Sequence, residues 1–209
     1  MAGVLDSVYG MGDPPDYEPS ADRTIGAIAA ARGVSQMEAA YDEILGSDAT
    51  NMCLLPLFNY SHGNHDAIRE QLLDPHSVSG LSDGGAHCGM ICDASIPTFM
   101  LTHWARDRSR GEGLDLEFVV KKQSKDTAEL FGLGDRGELT VGKRADINVI
   151  DFDALTLHSP RLAHDLPAGG RRLLQDASGY SATVVGGQVT RRDGVDTGAR
   201  PGRLLRGAR

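Results

Sequence analysis

A glycine-rich segment near the middle of the chain carries the acid whose surroundings most favour catalysis. Asp83 lies in the run GLSDGGAH, residues 80–87, directly after a short β-prone stretch. Parallel α/β proteins place catalytic groups where their strands end. The neighbouring glycines have no Cβ, so a substrate or a metal ion can approach the backbone closely. Asp83 is therefore the first candidate for a catalytic group; the structural alternative is a turn aspartate that satisfies loop amides.

Further metal-ligating side chains lie on either side of Asp83. His87, Cys88 and Cys92 form a His-Cys-x3-Cys pattern, but its spacing is loose and no second pair follows. We favour His87 at the mouth of a substrate pocket and the two cysteines as small buried apolar groups. His62 and His65 do not have the spacing of two ligands on one helix face, so we assign them to a loop and a helix start.

Three further sets of polar residues have more than one interpretation. His103 falls on the apolar face of a predicted helix, which favours a core histidine with satisfied hydrogen bonds over a ligand. Arg106 and Asp107 are expected either to form a local ion pair or to brace neighbouring loops. Arg171 and Arg172 have the chemistry to bind a substrate carboxylate in bidentate fashion, but a surface loop is the preferred interpretation.

Helices and apolar runs alternate before residue 135. Helices are predicted over about 21–32, from the capping box at Ser35 to Gly46, over 65–73, after Ser95 and after Asp115. The apolar face that the second helix is predicted to bury consists of Met37, Tyr41, Ile44 and Leu45. The predicted strands are Cys53–Phe58 and Ser77–Leu81, which with the intervening helix make one βαβ unit.

The chain becomes β-prone after residue 134. Three runs separated by glycine-rich turns, 138–141, 145–152 and 182–190, predict strands. We therefore divide the chain into residues 1–134 and residues 135–209.

Composition limits the class of protein. The 209 residues are 40% hydrophobic and 24% charged, as in a globular protein, and the net charge of −8 argues against a nucleic-acid partner. Three cysteines make no disulfide framework and fit a reducing compartment. The chain has neither a signal-peptide core nor an apolar stretch long enough to cross a membrane. A cytoplasmic protein without a membrane partner is expected.

Several segments resemble one enzyme superfamily. Residues 137–151, GELTVGKRADINVID, resemble the segment by which amidohydrolases return from their barrel to a small β-sandwich, and residues 182–190 with Asp193-Gly194 resemble its closing hairpin. GLSDG, residues 80–84, is similar to the last barrel strand, and HWARD, residues 103–107, to the following helix. Together they resemble the carboxy-terminal portion of N-acyl-D-amino-acid deacylases, also called D-aminoacylases.

The resemblance implies an α/β fold: the last two strands of a (β/α)8 barrel with the helices that follow, plus part of a β-sandwich. It also implies zinc-dependent hydrolysis of a linear amide, with an N-acyl-D-amino acid as substrate and Asp83 as the acid/base. The zinc ligands of such enzymes begin with a His-x-His motif, which this chain lacks. No residue is therefore assigned as a metal ligand, and the chain alone is expected to bind no stoichiometric zinc.

Two alternatives to a self-sufficient hydrolase remain open at this stage. The chain could be an inactive fragment or an accessory piece that requires a separate barrel half, because two strands of an eight-stranded barrel leave open edges that favour self-association. It could instead be a small zinc module built on His87, Cys88 and Cys92.

Overall fold

The computed structural model describes residues 3–46, 51–80 and 87–206 as a mixed assembly of short helices and small sheets. Asp83 lies in the segment 81–86, outside the described residues. The α-helices are α1 (Ile25–Arg32), α2 (Gln36–Leu45), α3 (Asp66–Leu73), α4 (Ile96–Phe99), α5 (Leu116–Lys121) and α6 (Thr127–Leu130). The strands are β1 (Tyr9–Gly10), β2 (Cys53–Leu54), β3 (Ile147–Ile150), β4 (Thr156–Leu157), β5 (Arg161–Leu166), β6 (Gly170–Leu174), β7 (Ala177–Ser178), β8 (Tyr180–Val185), β9 (Gln188–Arg192) and β10 (Val195–Asp196).

Two helices carry π-type hydrogen bonding beyond their α-helical turns. α4 continues through Met100–Asp107, where the Arg108 N–H donates to the His103 carbonyl at 2.8 Å. α5 continues through Lys122–Asp126 into α6. Such wide turns are uncommon and concentrate at functional sites.

The cap of α2 and the end of α1 are as predicted, but α1 begins at Ile25 with Thr24 as its N-cap and not near residue 21 with Ser20 as its cap, and the buried face of α2 differs. Ser35 Oγ accepts from the Glu38 N–H at 3.2 Å, and Gly33 ends α1 with φ 69°, as expected. The prediction that α2 buries Met37, Tyr41, Ile44 and Leu45 is wrong, since all four are exposed. α2 instead packs on α1 through alanines, with Ala39 fully buried beside Ile25 and Ala29. Small side chains let two helices approach closely and leave the larger ones outside.

The predicted βαβ unit does not form in the described part of the chain. β2 ends at Leu54, before Pro56, and pairs antiparallel with β1. Residues 77–80 form no strand. Ser77 Oγ donates to the carbonyls of Gln71 and Asp74, which folds the chain back on the end of α3. None of the strand pairs between described residues is parallel, so a partial barrel stays a prediction.

The β-prone end forms strands within two of the three predicted runs, 145–152 and 182–190. β10, β9, β8 and β3 make an antiparallel sheet, and Gly186 and Gly187, both with positive φ, turn β8 into β9. β4 pairs with β7, and β5 with β6. The predicted strand over 138–141 is wrong, because Glu138 forms ion pairs with Lys125 and Lys143, and Val141 is fully exposed.

The main core lies around Trp104, which retains 2% of its surface exposed. Met100, Leu114 and Val119 surround it from the helical part, and Leu155 joins it from beyond residue 134. Arg106 reinforces this junction by donating to the carbonyls of Phe152 and Leu155. The predicted ion pair between Arg106 and Asp107 is confirmed at 2.6 Å.

No helix among the described residues combines the length and apolar character needed to cross a membrane.

Replacement of Trp104 by alanine is expected to lower the free energy of unfolding by about 3–5 kcal/mol, because it empties the centre of the main core. Tyr41→Ala serves as the matched control, since Tyr41 is 63% exposed, and should change that free energy by less than about 1 kcal/mol. Urea denaturation followed by circular dichroism measures both. A large effect at Tyr41 would show that the α2 face is covered in solution.

Candidate functional site

Two of the residues that the sequence singles out, His87 and Arg172, are not among the converging metal-ligand donors of the described residues. His87, next to the segment that holds Asp83, has φ 45° and an exposed side chain, and its carbonyl accepts from the N–H groups of Met90 and Ile91. Its substrate-binding role stays a prediction. Arg172 pairs with Asp165 across the exposed β5–β6 hairpin at 2.7 Å, which agrees with a surface position.

The cysteines do not form a metal site in the described part of the chain. Cys88 and Cys92 are half-buried free thiols, and the Cys92 Sγ lies 3.9 Å from Gln175 Oε1. Burial raises the pKa of the Cys92 thiol, and the nearby Asp93 carboxylate adds to that increase.

Among the described residues, the donors that converge are instead Glu18, His65 and His103, whose ligand atoms all lie within 4.8 Å of one another. We refer to these three as the Glu–His–His cluster.

Glu18 reaches this cluster from a loop that is fixed at the backbone. Its N–H donates to Asp16 Oδ1 at 3.0 Å, and its carbonyl accepts from Arg110 Nη1 at 2.8 Å. Arg110 also donates to the carbonyl of Pro19 and to the Tyr60 hydroxyl. The loop therefore holds the Glu18 side chain in place without a helix or strand.

The Glu18 carboxylate is buried against a guanidinium. Arg108 Nη2 donates to Oε1 at 2.9 Å and Nε donates to Oε2 at 3.0 Å, in a bidentate pair. The His65 N–H donates to Oε1 at 2.7 Å. The side chain of Arg108 is fully buried and that of Glu18 is 3% exposed, and Arg108 also pairs with Asp66 at 2.7 Å.

The two imidazoles approach the same carboxylate from different helices. His65 is the N-cap residue of α3, and His103 lies in the π-type turn after α4. His103 Nε2 is 3.2 Å from Glu18 Oε2, and His65 Nδ1 is 3.8 Å from it. The two ring nitrogens are 3.4 Å apart. A carboxylate oxygen and two ring nitrogens thus face one small volume.

Aromatic rings surround the cluster and limit its contact with water. Phe99 stacks on His103 with ring centroids 4.6 Å apart, and Trp104 stacks on His65 at 5.9 Å. The Tyr60 ring meets His65 edge-on. Arg108 lies 4.8 Å above the Trp104 ring. Because much of this wall is aromatic, the hydrogen bonds from Arg108 and from the His65 N–H supply most of the compensation for burial of the Glu18 carboxylate.

This environment shifts the pKa values of all three residues. Burial favours the protonated form of Glu18, but the hydrogen bonds from Arg108 and from the His65 backbone outweigh it and lower the pKa to about 2. Burial lowers the pKa of His103 to about 4, with a further contribution from His65. Burial also lowers the pKa of His65. Near neutral pH the cluster therefore presents one carboxylate and two neutral imidazoles.

Sequence reasoning located these residues without bringing them together. The helix-start position of His65 is confirmed, and so is the apolar-face position of His103, whose ring contacts Phe99 and Trp104. Glu18 was not singled out. The three lie 47 and 38 residues apart along the chain, so no short motif links them. One signal in the sequence could have pointed to the cluster. Arg108 lies five residues after His103, and an arginine buried at that position needs a buried anionic partner such as Glu18.

A protein-family model described as "Amidohydrolase family" matches residues 5–191 of the chain. The chain belongs to the amidohydrolase family. All three cluster residues lie inside the matched span. Among curated proteins, an adenine deaminase of Desulfatibacillum aliphaticivorans is 36% identical over 77 residues, which is 37% of this chain and 13% of that protein. No solved structure matches the chain.

Hydrolysis of C–N bonds and binding of a metal ion are general properties of the amidohydrolase family. The donor set in the described part of this chain fits such an ion. One carboxylate and two imidazoles are the protein ligands of a well-known class of catalytic zinc sites. Both imidazoles are neutral near pH 7, and ligation requires that protonation state.

Glu18→Gln is expected to lower the free energy of unfolding by about 3 kcal/mol or more, because it leaves the buried Arg108 charge without its main partner. Asp42→Asn breaks an exposed ion pair with Arg32 and should cost less than about 1 kcal/mol. Denaturant titration at pH 7 compares the two. Equal effects would argue against a structural role for the buried pair.

Stability should decrease as the pH falls from about 6.5 towards 4. In that interval the unfolded chain binds a proton at His103 that the folded protein excludes, so acid favours the unfolded state by on the order of 1 kcal/mol per pH unit. Glu18, whose pKa is lowered from 4.5 to about 2, adds a further loss below pH 4.5.

The measurement is a series of urea titrations from pH 7 to 4 in the presence of EDTA. His103→Gln should flatten the slope by about one proton. If the parent and His103→Gln slopes coincided, the excluded proton would not belong to His103.

Proposed function

We propose that the native protein carrying this chain hydrolyses the amide bond of N-acyl-D-amino acids. The family match over residues 5–191 supports hydrolysis of a C–N bond. The narrower substrate class comes from the deacylase-like segments at 80–84, 137–151 and 182–194. The activity is proposed for the whole native protein, since the matched segment of the curated relative is 13% of its length.

Amide hydrolysis needs a base for the attacking water and an acid for the leaving nitrogen. A bound divalent metal ion supplies Lewis-acid chemistry to such a reaction, and zinc is the metal that the deacylase resemblance implies. We assign proton transfer to Asp83, whose carboxylate would take a proton from water and deliver it to the amine. This assignment is based on the sequence of residues 80–87.

His87 is assigned to substrate binding beside Asp83. Its backbone lies in a left-handed turn fixed by the N–H groups of Met90 and Ile91, at 2.8 and 3.0 Å, while its side chain is exposed. A fixed backbone with an accessible imidazole suits a residue that contacts a ligand carboxylate at the edge of a glycine-rich segment.

A second candidate is deamination of an aminopurine. The similarity to an adenine deaminase over 77 residues favours it. Both reactions add water to an electrophilic carbon and expel nitrogen, so one acid/base carboxylate would serve either. The leaving group separates them: an amino acid leaves in the first reaction and ammonia in the second.

The deciding experiment supplies the native protein with three substrates: N-acetyl-D-methionine, its L-enantiomer and adenine. Release of free D-methionine, at least tenfold faster than of the L-enantiomer, is the expected result. Ammonia release from adenine alone would establish the second candidate. No turnover of any of the three would favour an accessory role for this chain.

Asp83→Asn should abolish hydrolysis while leaving metal content nearly unchanged, because asparagine keeps the size of aspartate but cannot accept and return a proton. Asp193→Asn is the matched control, since Asp193 is an exposed turn residue with φ 47°, a conformation that asparagine tolerates. The rates are compared with the best substrate found above. An Asp83→Asn rate within about tenfold of the parent would refute the acid/base role.

A further inference from the structure

We propose that Glu18, His65 and His103 form a three-ligand site for a divalent transition metal ion of the zinc class. The proposal concerns binding by this chain's own residues and does not depend on the proposed hydrolysis. It replaces the expectation, drawn from the missing His-x-His motif, that the chain alone binds no zinc.

Two of the three separations between the donor atoms are close to those of a zinc site, and the third, between His65 Nδ1 and Glu18 Oε2 at 3.8 Å, is longer. Glu18 Oε2, His103 Nε2 and His65 Nδ1 form a triangle with sides of 3.2, 3.4 and 3.8 Å. Tetrahedral zinc with bonds of about 2.0–2.1 Å separates its ligand atoms by about 3.3–3.4 Å. An ion equidistant from the three atoms would lie about 2.0 Å or slightly more from each, at normal bond lengths.

The lone pairs of Glu18 leave one position for the ion. An ionised carboxylate has about two acceptor positions on each oxygen. Oε1 uses both, for Arg108 Nη2 and for the His65 N–H. Oε2 accepts from Arg108 Nε alone among the hydrogen bonds of the described residues, and its second position faces the two imidazoles. Arg108 thus orients the carboxylate and does not occupy the ligand atom fully.

The charges and the access also suit a cation. Asp66 shares the positive charge of Arg108 through a 2.7 Å contact, so the guanidinium is partly neutralised from its other side. The imidazoles keep 10% and 15% of their side chains exposed, against 3% for Glu18. The histidine side is therefore the less enclosed side of the cluster, and it is the side from which an ion and a fourth ligand such as water would have to approach.

The experiment titrates the full chain, stripped with EDTA, with zinc alone in an isothermal calorimeter. We expect one ion per chain. His65→Gln and His103→Gln should each weaken binding at least tenfold, while His76→Gln should leave it unchanged. A Cys88→Ser/Cys92→Ser double variant should also bind like the parent, which separates this site from the alternative built on His87, Cys88 and Cys92.

A second measurement needs no variant. Addition of zinc to the ¹⁵N-labelled parent should shift the imidazole nitrogen resonances of two of the seven histidines, those of His65 and His103. Substoichiometric binding, shifts at other histidines, or unchanged affinity in folded His65→Gln and His103→Gln would overturn the proposal. Because the readouts are binding and resonance shifts, a failed hydrolysis assay would not affect the result.

Discussion

The buried pair between Glu18 and Arg108 is the contact on which the arrangement of the helical half depends. It joins a loop without regular structure to the segment that follows the π-type turn, and through Asp66 and the His65 N–H it also fixes the start of α3. Two charges with 3% exposure or less are stable only when both are hydrogen-bonded. Every other polar contact of the cluster follows from where this pair holds the carboxylate.

The sequence predicted elements whose cause is local. The Ser35 cap, the Gly33 terminus and the β8–β9 turn each depend on a few adjacent residues, and all are present. The strand predicted over Cys53–Phe58 instead ends at Leu54, before Pro56. The same local reasoning failed for the apolar face of α2. Helical spacing shows which residues share a face, but only the partner helix decides which face is buried, and α1 presents alanines.

The cluster could not be read from the chain because nothing local requires it. A glutamate in a proline-rich loop, a histidine at a helix start and a histidine on an apolar face each have an ordinary structural interpretation. Their convergence depends on contacts between residues 47 and 90 positions apart. The superfamily was recognised from motifs rich in glycine and aspartate in other parts of the sequence. These motifs carry no information about Glu18.

The wide turn at residues 100–107 sets the register of the cluster. Residues five apart on an ordinary α-helix point about 140° away from each other, yet His103 and Arg108 both contact Glu18. The π-type hydrogen bond from Arg108 to His103 brings them to the same side. Loss of a single residue from this stretch would restore regular helical winding and send the two side chains in different directions. The cluster therefore depends on the number of residues in this turn. Conservative substitutions would keep that number, and a one-residue deletion would not.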